Sequence, residues 1–272
     1  GAFLAGGWDN DPRAFADGYR LKDVRTSVKL GVRLRRVRSK SGDSFSIRPS
    51  FVLPYMVGYA DEVGDPLFLR AFGVPFWALA RVFGQGFMFW YRLELALGRN
   101  SVVGATVRQA DLPEHLQADE HHQPCDGLKN YIATTVGEGC CLGSALAQTA
   151  GAEDLQAAYG VFKTEARDVE PDYAPWTVSV DASGVARLML DRVMRPMNRY
   201  FDDGQHLHGG AEACDLHCRA WALLHNFRPW HPAMARENDG WRSPAERLNR
   251  HRYHDDWLQN LPISASLGGF RR

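Results

Sequence analysis

Two aspartates stand in or at the end of short runs of strand-forming residues. Asp119 lies in Leu116-Gln117-Ala118-Asp119-Glu120-His121, and Asp181 closes Thr177-Val178-Ser179-Val180-Asp181. Two carboxylates on neighbouring parallel strands can hold divalent metal jointly. Metal ions so placed activate one oxygen and stabilise the leaving one, which is the chemistry of phosphoryl transfer. Between the aspartates lie two more strand-like runs, 129–136 and 139–148, and a helix over 152–169. The order strand, strand, strand, helix, strand lets the first and fourth strands lie side by side, with both aspartates at one place. A third carboxylate would come from a later helix, where Asp191 is the nearest candidate and Glu246 stands behind it.

The helix over 152–169 has the clearest period: Leu155, Ala158, Tyr159, Phe162, Ala166 and Val169 share one face, Glu153 and Asp154 sit in the first turn, and Pro171 ends it. Further helices are expected over 185–200, with Pro196 inside, over 212–227, closed by Pro229, and from 243 on, where Ser243 and Pro244 make a serine cap with proline at the first position. His206, His208, Cys214, His217 and Cys218 cluster within thirteen residues, and a helix would put Cys214, His217 and Cys218 on one face. No familiar zinc pattern has this spacing, and helical amphipathicity accounts for the cysteines as small core residues.

A chain of 272 residues, 45% hydrophobic and 24% charged, can bury a substantial core. Its formal net charge of zero hides basic flanks around an acidic centre. Residues 32–40 carry five basic side chains and no acid, and Arg33, Arg35, Arg36 and Arg38 are candidates for phosphate contact. Two solvated basic faces would produce the same charge pattern. Five cysteines, Cys140 and Cys141 adjacent, make no secreted disulfide framework, and no signal peptide or membrane-spanning apolar run is present. A cytoplasmic, reducing location is the resulting expectation.

Residues 1–17 show no clear period and read as a poorly ordered lead-in or a remnant of something longer. Over 19–51 apolar and basic residues alternate, the pattern of strands with one charged face, turning at 39–43. Residues 67–72, 75–83 and 87–97 form short helices separated at Gly73 and Gly84, an arrangement that permits a helix-turn-helix with Arg81 as its basic contact; a small apolar helical cluster packed on the next domain is the other reading. The tail from Trp241 to Trp257 interleaves arginines 242, 247, 250 and 252 with Trp, Tyr and His. Arg242, Arg247, Arg250 and Arg252 could contact phosphate there, or the segment could be a capped surface helix with Leu248, Trp257 and Leu258 packed inward.

From residue 50 almost to its end the chain resembles a family of bacterial insertion-sequence transposases that use three acidic residues. The resemblance rests on Phe72-Gly73-Val74-Pro75-Phe76-Trp77-Ala78-Leu79, on 97–104, on Ala118-Asp119-Glu120-His121-His122, on 131–137 and 158–163, and most specifically on Ser243-Pro244-Ala245-Glu246-Arg247-Leu248-Asn249 with Arg252-Tyr253-His254-Asp255. It implies an α/β, ribonuclease H-like catalytic core, Mg2+ or Mn2+, transposon-end duplex DNA as partner, assembly as a homo-oligomer on DNA, and cutting and rejoining of DNA ends. Asp119 matches the family's first acidic residue, Asp181 the second, and Asp191 falls where the last helix brings the third. The family carries roughly a hundred residues between the second and third acids, whereas Asp181 and Asp191 here are ten positions apart. Ten extended residues span at most about 35 Å, so reach does not forbid a shared site. The missing strand and helix would leave one sheet edge and one face uncovered, as in an internally deleted copy.

The expected organisation is a basic, partly disordered region over 1–50, a helical DNA-binding region over 51–110, a truncated ribonuclease H-like core over 111–200 and a helical segment over 201–272. The expected function is that of a transposase or a degenerate remnant, with a non-catalytic DNA-binding protein or a functionless product as alternatives.

Overall fold

The computed structural model describes residues 3–6, 18–49, 51–53, 58–108, 110–125, 127–180, 185–203 and 209–268. The alternating residues near the amino terminus build an antiparallel sheet of β2 (Tyr19–Ser27), β3 (Val32–Ser39) and β4 (Ser44–Pro49), to which β1 (Phe3–Gly6) adds on the far side of β4. Residues 3–6 are thus paired strand, where the sequence reads as an aperiodic lead-in. The β3–β4 turn falls at 39–43, where Ser39 N donates to Asp43 O at 3.0 Å and Gly42 takes φ 99°.

The second sheet holds β5 (His115–Cys125), β6 (Leu128–Gly137), β7 (Cys140–Ala147) and β8 (Thr177–Val180), in the order β7-β6-β5-β8. Glu138 and Gly139, both at positive φ (50° and 76°), make the two-residue hairpin turn that matches the twist of β6 and β7. β5 and β8 run parallel, with His115 beside Thr177 and Ala118 beside Val180. A parallel neighbour requires a crossover, supplied by α5 (Ala152–Val169) with the bounds its period predicts. α5 packs on β6 and β7 through Ala158, Leu155, Tyr159 and Phe162.

Helices α6 (Val185–Asp203) and α7 (Gly210–Phe227) cover the other side of this sheet, α6 over β5 and β6 and α7 mainly over β7. Helices therefore lie on both sides of the sheet, which corrects the expectation of a bare face; the cover thins at β8, where no strand pairs beyond it among the described residues and Val178 and Val180 are 51% and 59% exposed. α7 is buried along almost its whole length, its polar side chains His217, Arg219 and Asn226 included, because each of these is hydrogen-bonded inside. It crosses α3 (Phe87–Gly98) so closely that a Cβ on Gly98 would lie 1.9 Å from the Leu216 carbonyl oxygen. One hydrophobic core joins residues of α1 (Ala60–Arg70), α2 (Phe76–Phe83), α3, α6, α7 and α10 (Trp257–Gly268) with Ile132, Val136 and Cys141 of the sheet. Short helices α4 (Val102–Thr106), α8 (Pro232–Glu237) and α9 (Pro244–Asn249) complete the chain. Among the described residues no helix is long and apolar enough to cross a membrane.

Two buried carboxylates tie these helices together. Glu94 of α3 accepts from Arg70 Nε of α1 at 2.6 Å, and its Oε1 meets both the Tyr200 hydroxyl of α6 and His217 Nδ1 of α7. Glu165 of α5 caps α4: its Oε2 accepts from Ser101 Oγ (2.9 Å), Val102 N (2.7 Å) and Val103 N (3.1 Å), while Oε1 pairs with Arg219 of α7. Cys125, at the end of β5, is bonded to Cys214 of α7, a pair that spacing alone does not reveal. A disulfide persists in oxidising surroundings, so the cysteine usage does not itself point to a reducing compartment.

Breaking a buried ion pair strands its partners, so Glu94→Ala should lower unfolding free energy by about 3–5 kcal/mol, read as the denaturant midpoint. An unchanged midpoint would remove Glu94 from its organising role. Stability should also fall with acid. Burial and Arg228 hold His225 at about 3, so below 6.5 the unfolded chain binds a proton that the folded chain refuses; the loss runs from about pH 6.5 down to 3 at up to ~1.4 kcal/mol per pH unit. Burial would push the Glu94 carboxyl up, but Arg70 and His217 hold it at about 2, so its contribution is lost only below about 4.5. His225→Gln should flatten the stability profile between pH 6.5 and 4.5 and leave the steeper fall below it.

Candidate functional site

The face each residue of β5 presents follows from its neighbours. Glu120 accepts from the Tyr159 hydroxyl of α5 at 2.7 Å, placing Leu116, Ala118 and Glu120 on the α5 side. Asp119 is paired directly with Thr134, whose hydroxyl lies 4.0 Å from Met197 Sδ of α6. Directly paired residues share a face, so Gln117, Asp119, His121 and Gln123 point toward α6. Ser144 of β7 continues the row Asp119, Thr134, Ser144. Asp119 is half-buried, and its Oδ1 accepts the Glu120 backbone N–H at 2.8 Å.

Asp181 lies outside the described residues. The last described pair of the parallel ladder is Ala118 with Val180, so Asp119 is the next residue of β5 as Asp181 is the next residue of the chain. Asp191 sits on α6, half-buried, one residue past the buried Leu190 and three before the buried Met194, hence on the flank of the inward stripe. Glu246 is not available as a third acid: it is 3% exposed and is engaged by Arg242 (Nη2 at 2.9 Å) and the backbone N–H groups of Arg242 and Tyr253.

The donors on the α6 side of β5 suit a hard divalent cation in kind. Asp119 offers a carboxylate, and the buried Gln117 Oε1, Ser144 Oγ and Asn198 Oδ1 of the same layer have no hydrogen-bond partner. They fall short in number, since among the described residues no three His, Cys, Asp or Glu side chains are grouped to hold a metal. The cluster weighed for zinc is otherwise occupied: Cys214 is in the disulfide, His217 bonds Glu94, Cys218 is buried in the core, and His206 and His208 lie outside the described residues.

The basic residues divide by geometry. Arg33 and Arg35 lie on one face of β3, Arg36 and Arg38 on the other. Arg81 is exposed on α2. In the tail, Ser243 Oγ caps α9 by accepting the Glu246 N–H at 3.2 Å. Arg242 is held by Glu246 and by Asp255 at 2.5 Å. Arg247 donates to Asn238 Oδ1 at 2.8 Å and to the Glu138 carbonyl, and Asn249 bridges Arg108 N and Thr106 O. Most of the Ser243–Asn249 motif thus clamps the tail onto α4 and the β6–β7 turn. Arg250 and Arg252 are exposed, Arg252 over the Trp241 ring at 5.4 Å.

Sequence reasoning missed Glu94 and Glu165 as anchors. The signal for Glu94 was present: a carboxylate in the most apolar stretch of the chain, four residues after Trp90 and four before Gly98, both buried. Compared with known proteins, the chain matches no family model, no curated protein and no solved structure.

Proposed function

We propose that the chain is a transposase-type, DNA-handling protein whose second sheet and flanking helices are an incomplete ribonuclease H-like core. The observation that carries this reading is the sheet order β7-β6-β5-β8, with β8 parallel to β5 and Asp119 on β5 just beyond the last parallel pair, facing α6. Asp119, Asp181 and Asp191 would hold Mg2+ or Mn2+, which when bound would activate an attacking oxygen and stabilise a leaving one on a DNA phosphodiester. The chain's own part is positional. β5 and β6 fix Asp119 in a ladder of nine residue pairs, and α6, anchored through Tyr200 on Glu94, closes the layer above it.

The incompleteness is equally specific. β8 is described over Thr177–Val180, no strand pairs with its far side among the described residues, and its valines are exposed. α6 packs across β5 and β6, but Asp191 lies on the flank of its inward stripe, so the helix that covers Asp119 does not carry the third carboxylate on its inward face. This favours a chain that binds transposon-end DNA, as a homo-oligomer there, without cutting it: the non-catalytic alternative.

In a cleavage assay on its own transposon ends with Mg2+ or Mn2+, the protein should give no nicking above background, since a misplacement of about 1 Å can already cost ~100-fold. Metal-dependent nicking that Asp119→Ala abolishes would establish a competent site and reject the incomplete core.

A further inference from the structure

Resting on the reading that the chain binds DNA, we propose that one face of the amino-terminal sheet is the seat of the duplex phosphate backbone, and that the arginines of its opposite face are not part of it. The seat comprises Arg20, Lys22 and Arg25 of β2 with Arg36 and Arg38 of β3.

The register places these side chains together. Directly opposed residues share a face, and Arg20 opposes Arg38, Asp23 opposes Arg36, and Arg25 opposes Leu34. Lys22 sits at the register shift of β2 and donates to Ser44 Oγ at 2.8 Å; Ser44 itself opposes Arg38, which brings Lys22 to the same side. Five cations therefore stand over one patch with a single acid among them. Asp23 is already committed, taking a two-point bond from Arg36 with Nε to Oδ1 at 2.6 Å.

Among the described residues the other four cations have no counter-charge, and two of them, Arg20 and Arg38, are directly across a ladder. Like charges directly opposite destabilise a strand pair, and a bound polyanion relieves that cost. Two further observations agree. Arg38 Nε is buried with no hydrogen-bond partner, and partial burial followed by Arg36 and Arg38 lowers the Lys22 pKa from its ordinary value. A sheet spaces neighbouring strands by about 4.8 Å and same-face residues by about 6.8 Å, a grid dense enough to meet a duplex that presents one charge per ~1.7 Å of axis.

The opposite face is of another kind. Leu21, Val24, Val37, Phe45 and Ile47 occupy it, with Val37 1% exposed, and Arg35 there is flanked by Val24 and Ile47 and Arg33 by Thr26. Residues that form one basic run in sequence are thus split by the pleat between a polar cationic face and a mainly apolar one.

The test uses the full chain and a duplex of arbitrary sequence, with affinity measured from low to moderate salt. Arg20→Ala/Lys22→Ala/Arg25→Ala/Arg38→Ala should reduce the slope of log affinity against log salt by about 3–4, and Arg33→Ala/Arg35→Ala should leave it unchanged. Equal losses in both variants, or the full slope kept by the fourfold variant, would overturn the proposal while leaving DNA binding intact. A wild-type chain that does not bind duplex, or that prefers phosphatidylserine vesicles or single-stranded RNA to it, would overturn both. If the fourfold variant fails to fold, lysine acetylation of the wild type decides instead: duplex should protect Lys22 and leave Lys163 on α5 reactive, and an unprotected Lys22 would contradict the seat.

Discussion

A carboxylate buried at the junction of several helices must be neutralised where it stands, or the core around it cannot close. Glu94 is fully buried, and what neutralises it comes from three other helices: Arg70 of α1, Tyr200 of α6 and His217 of α7. Arg70 in turn lies over the rings of Phe76 and Tyr200, at 4.3 and 4.2 Å. Each partner would cost several kcal/mol if left alone in an apolar interior, so the four are present together or the packing fails. The arrangement acts less as a source of net stability than as a fixed address for four helices.

The placement of α6 follows from it. With Tyr200 held on Glu94, and Met197 and Val193 in the same core, α6 lies across β5 and β6 and covers the face that bears Asp119. A second anchor works from the other side. Glu165 caps α4 and binds Arg219, so the crossover helix that makes β8 parallel to β5 is tied to the same central helix α7. The Cys125–Cys214 bond adds a third link, from the end of β5 to α7. The candidate site is thus positioned by contacts none of which belongs to it, and disruption at Glu94 should reach Asp119 through α6.

The second sheet was legible in the sequence because β6 and β7 are short runs buried almost throughout and α5 carries an apolar stripe ended by a proline. The capped helix at Ser243–Pro244 was legible for a local reason as well, since the cap is written in adjacent residues. What could not be read lies in long-range pairing. Cys125 and Cys214 are 89 positions apart, and α10, with Pro262 inside it, lacks a strong amphipathic pattern to announce it. The basic tail was open to two readings because arginine beside aromatic residues looks the same in sequence whether it meets phosphate or, as with Arg242, meets Glu246 and Asp255. The pleat that separates Arg33 and Arg35 from Arg36 and Arg38 could have been read from parity, but the bulge at Lys22 could not.

The proposal that Asp119, on the α6 side of β5, holds a divalent metal together with Asp181 and Asp191 can be tested directly. Fe2+ in place of Mg2+, with ascorbate and peroxide, cuts the chain where the metal binds, and the fragments can be mapped by mass. Weak but localised cuts are expected beside residues 119 and 181, lost in Asp119→Asn while the folded state is kept. Cuts spread along the acidic surface, or unaffected by Asp119→Asn, would contradict it.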